Sequence, residues 1–166
     1  MPDGWTRIIL ALPLACAGCA IPLSQAGGDT ARPPQSISYE TGPCFGACPV
    51  YRFTIDADGN GSFEGVRFTK VLGARTFTAS REAFRAFATH LAPLRPGRGT
   101  VRYDAPPTCD ILVTDRPSTS VTWKNADGPK QSLYFYYGCD MDKNRAMAER
   151  LSGAPELLPV MAFIKE

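Results

Sequence analysis

Beyond residue 36 the apolar positions alternate with polar ones in short runs, and only a few stretches change to helical spacing. Residues 50–56 set the pattern: Tyr51, Phe53 and Ile55 fall on one side, Arg52 and Thr54 on the other. A period of two marks a half-buried strand. Residues 37–40 repeat it in a shorter form. Asp56-Ala57-Asp58-Gly59-Asn60-Gly61 reads as a hairpin turn, and residues 62–68 return as its partner strand. Residues 70–78 add another strand, interrupted at Gly73. Residues 110–115, 119–124 and 131–137 read as three more, the last with Leu133, Phe135 and Tyr137 on one face.

Helical spacing first appears after Ser80, a residue suited to capping. Phe84, Phe87, Ala88 and Leu91 then share a face at intervals of three and four, and Pro93 ends the run. A second helix is expected over residues 143–151, closed at Gly153. A third is expected over residues 156–164, with Pro159 tolerated near its start or at a kink. Residues 94–108, rich in Pro, Gly and Arg, read as a loop. Strands, helix, strands, helix with short hairpin links predicts one α+β domain over residues 37–166. Its sheet should be mostly antiparallel and should carry two or three helices.

The N-terminus follows a different pattern. Arg7 precedes a short apolar run, Ile8 to Ala15, which is followed by Cys16-Ala17-Gly18-Cys19-Ala20. Charge, short apolar run and small residues make a secretory signal. The run is far below the roughly 20 residues of a spanning helix. Its end resembles a bacterial lipoprotein signal, because Ala17-Gly18-Cys19 matches the last three positions. The departure is Cys16, where that pattern prefers Leu. The resemblance implies removal of residues 1–18 and acylation of Cys19, with Cys16 the alternative acceptor. Ala20, in place of Asp, implies sorting to the outer membrane, on its periplasmic face. Residues 19–36, rich in Gly, Pro, Ser and Gln, are expected to be a flexible tether. A formal net charge of +2 and export both argue against a nucleic-acid partner.

Export gives meaning to the other four cysteines, Cys44, Cys48, Cys109 and Cys139. An even set in an oxidising compartment reads as disulfides. Cys44 and Cys48 can close across a tight turn in which Gly46 supplies backbone freedom. Cys109 and Cys139 each adjoin an expected strand and can meet if those strands are neighbours. The expected pairing is therefore Cys44–Cys48 with Cys109–Cys139, and cross-pairing between the sets is the alternative.

Cys44-Phe45-Gly46-Ala47-Cys48-Pro49-Val50-Tyr51 also carries a resemblance. It is similar to the Cys-Phe-Gly-x-Cys-Pro-x-Tyr signature of a bacterial family called domain of unknown function 6438. Asp58-Gly59 and Phe63-Glu64-Gly65 supply that family's later turn and return strand. The close match covers residues 37–65, and the family brings no activity with it.

Chemistry is harder to find. A reactive Cys44–Cys48 pair would want a helix N-terminus to lower a thiol pKa, yet the sequence after Pro49 is patterned as a strand. Cys-x-x-x-Cys-Pro also resembles the Cu(I) motif of Sco-type chaperones, which adds a distal histidine; here only His90 is available. Asp56, Asp58 and Asn60 match the first half of a calcium loop, but the position of its last ligand holds Arg67. No hydrolase constellation and no phosphate-cradling glycine loop is present. Tyr134 and Tyr136 could expose a ligand platform on the last strand. The sequence thus points to a non-catalytic binding or envelope-associated module without cofactor or metal. It is expected to be monomeric, held to the membrane through its lipid, with its protein or small-molecule partner unspecified. The alternative is thiol–disulfide exchange or Cu(I) handling by Cys44 and Cys48.

Overall fold

Alternate residues of each central strand are buried, and the sheet is assembled around them. A computed structural model describes residues 33–165. Among the described residues the strands are β1 (Ser36–Thr41), β2 (Val50–Asp56), β3 (Asn60–Arg67), β4 (Gly73–Thr78), β5 (Thr100–Tyr103), β6 (Ser118–Lys124) and β7 (Gln131–Tyr136). They form one sheet in the order β4-β3-β2-β1-β6-β7-β5. All neighbours are antiparallel except β5 and β7. The helices are α1 (Arg81–Leu91), α2 (Arg145–Gly153) and α3 (Met161–Ile164). The α+β class and the mostly antiparallel sheet stand as expected.

Ile37, Tyr39, Phe53, Ile55, Phe63, Val121, Trp123, Leu133 and Phe135 are buried on one face of the sheet. Phe84, Phe87 and Leu91 of α1 are buried with them in one apolar cluster, and Phe53 and Phe87 have ring centroids 5.8 Å apart. Burial of each large side chain contributes about 1.5–3 kcal/mol. The Ser80 hydroxyl accepts from the Ala83 amide at 3.1 Å and caps α1. The opposite face is covered with hydroxyls. Thr76, Ser62, Thr54, Ser38, Thr122, Ser132 and Thr100 lie in one register line across all seven strands. Ser38 bonds Thr54 at 2.8 Å and Thr122 bonds Ser132 at 3.1 Å, a cross-strand pairing that suits a solvated sheet surface.

Some expectations need correction. Residues 94–108 are not all loop: β5 forms within them, alongside the buried strand β7. Residues 110–115 do not make a strand. Only Leu112 bridges to Cys139, because this segment lies beyond the end of β7 with no regular partner. The last expected helix is split: a 3-10 turn covers Ala154–Leu157 and α3 starts after Pro159, whose missing N–H and ring prevent continuity. Gln35 and Ser36, read as the end of a tether, are already bonded into the sheet, Gln35 donating to the Lys124 carbonyl at 2.7 Å. The expected signal residues 1–18, the expected acceptor Cys19 with its alternative Cys16, and most of the expected tether lie outside the described residues.

The register gives the sheet two distinct ends. Ser36 lies opposite Asp56 and Lys124, so the chain joins the sheet at that end. Thr41 lies opposite Thr119, and Ser118 opposite Tyr136. The cysteines gather at this second end.

Candidate functional site

Thr41 and Tyr51 hold the two strands that open into the cysteine ring. The Thr41 hydroxyl donates to the Pro49 carbonyl at 2.9 Å and accepts from the Tyr51 amide at 3.0 Å. Between them Cys44 is joined to Cys48, with Cα atoms 5.8 Å apart. Gly46 sits at φ 140°, a backbone that other residues rarely adopt. The ring leans on the segment before β6, since the Phe45 amide donates to the Asp115 carbonyl at 3.2 Å. The Phe45 side chain itself is 89% exposed.

Behind the ring is a cleft of about 240 Å³. Cys48, Pro49 and Tyr51 form one wall; Tyr39, Thr119 and Tyr137 line its inner side. Met161, Ile164 and Lys165 close it from the C-terminal segment. The hydroxyls are linked. Tyr39 donates to the Leu151 carbonyl at 2.9 Å, and Thr119 lies 3.5 Å from the Tyr39 oxygen and 3.1 Å from that of Tyr137. Burial pushes the phenols of Tyr39, Tyr51 and Tyr137 above their ordinary pKa. All three therefore stay protonated and neutral through the physiological range. The cleft thus has apolar walls and neutral hydroxyls.

The second pair, Cys109 and Cys139, is also joined, with Cα atoms 5.5 Å apart. Both are buried. Asp140 follows directly. Its carboxylate accepts from the amides of Asp110 at 3.0 Å and Ile111 at 2.8 Å, with the Lys143 ammonium 3.7 Å away. The Asp110 amide first, then the Ile111 amide and the Lys143 charge, hold its pKa below the ordinary carboxylate value. A lowered folded-state pKa gives stability that is present above the unfolded value, about 3.9, and is lost as pH falls through the folded one. Asp140→Asn should therefore melt below the unsubstituted chain at pH 6, with the gap closing as pH falls below the ordinary carboxylate range. Melting curves from pH 7 to pH 2 check this; a gap constant across that range contradicts it. Asp56, also lowered, chiefly by the Asn60 amide, leaves some acid sensitivity in the variant.

His90 has another role. Its Nε2 lies 2.8 Å from the Arg150 carbonyl, and Arg150 Nη1 donates to the His90 carbonyl at 2.9 Å, clasping α1 to α2. It is not brought to Cys44 and Cys48: among the described residues the only group of three candidate ligands is Cys109, Cys139 and Asp140, whose sulfurs are bonded to each other. Asp56 accepts from the Asp58 and Asn60 amides and so shapes the β2–β3 turn. Tyr134 is covered by the Arg102 guanidinium 4.0 Å from its ring, and the Tyr136 hydroxyl accepts from the Arg116 amide. Neither tyrosine is an open platform. The sequence reading missed Tyr39 and Thr119 as site residues. The available signal was tyrosine at three inward strand positions, where an aromatic ring is buried and its hydroxyl needs a partner.

These features define a one-sided α+β sheet domain, braced at one end by two disulfides that flank a hydroxyl-lined cleft. The chain belongs to the domain of unknown function (DUF6438) family, whose model matches residues 35–154. No curated protein and no solved structure matches it. Met161, Ile164 and Lys165 lie beyond the matched region, so part of the cleft comes from outside it.

Proposed function

We propose that this chain is an exported, lipid-anchored binding module on the periplasmic face of the outer membrane, and that it holds a ligand in the tyrosine cleft without catalysing a reaction. One observation carries the reading: Cys48, Pro49 and Tyr51 of the cysteine motif are cleft wall, and the sulfurs beside them are already joined. The signal-like N-terminus supports the anchor, since Cys19 follows Ala17-Gly18. Metabolic labelling with a palmitate analogue tests it. Label should persist in Cys16→Ser and vanish in Cys19→Ser. An unsubstituted chain that takes up no label removes the anchor.

The competing reading is exchange or Cu(I) handling at Cys44 and Cys48. Cys48 runs through Pro49 into β2, so no helix N-terminus stands by to favour a thiolate. The Cys44–Cys48 couple is expected to have a reduction potential below about −300 mV, as structural bridges do. A value near −200 mV would restore the exchange reading. Titration of the reduced chain with Cu(I), with and without His90→Ala, should show no dependence on the histidine.

A further inference from the structure

The cleft does not end at Tyr137. A second hollow of about 390 Å³ adjoins it, and Pro117 and Tyr137 line both. Met141, Arg145 and Ala148 lie across it. Exposed apolar side chains lie in and beside the hollows at the same end of the sheet: Met141, in the second hollow, is 42% exposed, and Phe45 and Leu112, outside both, are 89% and 52% exposed. The Phe45 amide is bonded at Asp115, and Leu112 bridges to Cys139, two residues before Met141. An isolated exposed apolar residue is ordinary, but a group beside two hollows marks an interaction surface. Both disulfides brace this end, so little order remains to be lost on binding.

Charge narrows the occupant. In the second hollow Arg145 holds Asp142 at 2.6 Å, and Arg116 and Glu149 add one charge of each sign. These cancel. In the first hollow Lys165 is the charged lining residue and has no counter-charge among the other lining residues. The surface thus complements an apolar segment with one anionic group at the Lys165 end. Two hollows that share Pro117 and Tyr137 as lining suit an extended backbone, which sends alternate side chains to one side about 7 Å apart. Position argues against a bilayer as occupant. The described chain enters the sheet at the Ser36 end, and β1 separates that end from the cysteine ring by roughly 20 Å. A tether joined there leaves the hollows at the end of the domain remote from the attachment point.

We infer that the two hollows form one groove for an extended segment of another protein, with apolar side chains two positions apart and a carboxylate at the Lys165 end. This rests on reading the tyrosine cleft as a binding site. The test is selection of a random heptapeptide display library on the full chain, followed by amide NMR with the selected peptides. Apolar-x-apolar sequences ending in Asp or Glu should be enriched, and they should shift the amides of Arg116, Tyr137 and Met141. Phe45→Ala should weaken them about tenfold. Lys165→Glu should weaken them similarly, and a lysine in place of the peptide's acid should restore binding. Both substituted side chains are exposed, so melting curves should be unchanged. The inference is overturned by a selection without pattern, or by peptides indifferent to both substitutions. It is also overturned by Phe45-dependent binding of the Cys16→Ser/Cys19→Ser chain to phosphatidylglycerol vesicles, or by self-association that Phe45→Ala abolishes. Small aromatic fragments separate the two levels. If indole or benzoate shifts Tyr51 and Tyr137 while peptides do not, the groove fails and the cleft stands. If neither does, both fail.

Discussion

Replacing Cys109 and Cys139 together with alanine is expected to lower stability by about 4 kcal/mol, with a fall in melting temperature of roughly 10–15 °C. The bridge spans a sequence separation of 30, against 4 for Cys44–Cys48. Chain entropy removed from the unfolded state grows with the logarithm of loop length, so the shorter bridge should contribute only about 2 kcal/mol. The long bridge also ties the irregular 109–116 segment to the end of β7, where Leu112 bridges Cys139 and the Val113 amide reaches the Gly138 carbonyl. Without it that segment should open, and the second hollow should lose Arg116 and Pro117 as wall. Urea titration of the two double variants measures the difference. A loss below about 1 kcal/mol for the Cys109/Cys139 variant would mean that other contacts hold the segment.

Arg95→Met is expected to cost roughly 3 kcal/mol, the next largest effect. Arg95 follows the 3-10 turn after α1 and is buried at the Ser36 end of the core. Its Nε donates to Gln131 Oε1 at 2.7 Å and its Nη2 to Asn125 Oδ1 at 2.6 Å. Gln131 in turn donates to the Pro96 carbonyl at 2.9 Å. Removing the guanidinium leaves two buried amide oxygens without this donor, and the penalty lies in those stranded acceptors more than in the bonds themselves. The same logic makes the triple variant Arg95→Met/Asn125→Leu/Gln131→Leu informative. Both buried amide oxygens are then gone, and the Pro96 and Gly97 carbonyls that lose the Gln131 amide belong to residues water reaches, so part of the loss should be recovered. A triple variant no more stable than the single one would contradict this.

The strands and helices that were legible in the sequence are those with a one-sided apolar pattern. Tyr51, Phe53 and Ile55 declare β2, and Phe84, Phe87 and Leu91 declare α1, because burial on one face is local information. β5 was not legible: Val101 and Tyr103 stand among Arg, Gly and Pro, and only the presence of β7 beside them makes a strand. Residues 110–115 failed in the opposite sense. Ile111, Leu112 and Val113 look like strand residues, but they lie past the end of the sheet and remain exposed. The Cys44–Cys48 pairing was legible through spacing, whereas Cys109 and Cys139 meet although the strand expected after Cys109 does not form. The cleft was not, since Tyr39, Tyr51, Thr119 and Tyr137 come from four separate places in the chain and meet only through sheet register.

On the proposed function the cysteines are covalent braces and an anchor, and the cleft is the place of function. Intact-mass and peptide mass spectrometry of the full chain, exported by a Gram-negative host and kept under non-reducing conditions, tests this most directly. The expected result is acyl mass on an N-terminal Cys19, with Cys44 linked to Cys48 and Cys109 to Cys139. An unmodified N-terminus with free thiols at Cys44 and Cys48 would contradict it, and would make the ring around Phe45 a reactive centre instead of a wall.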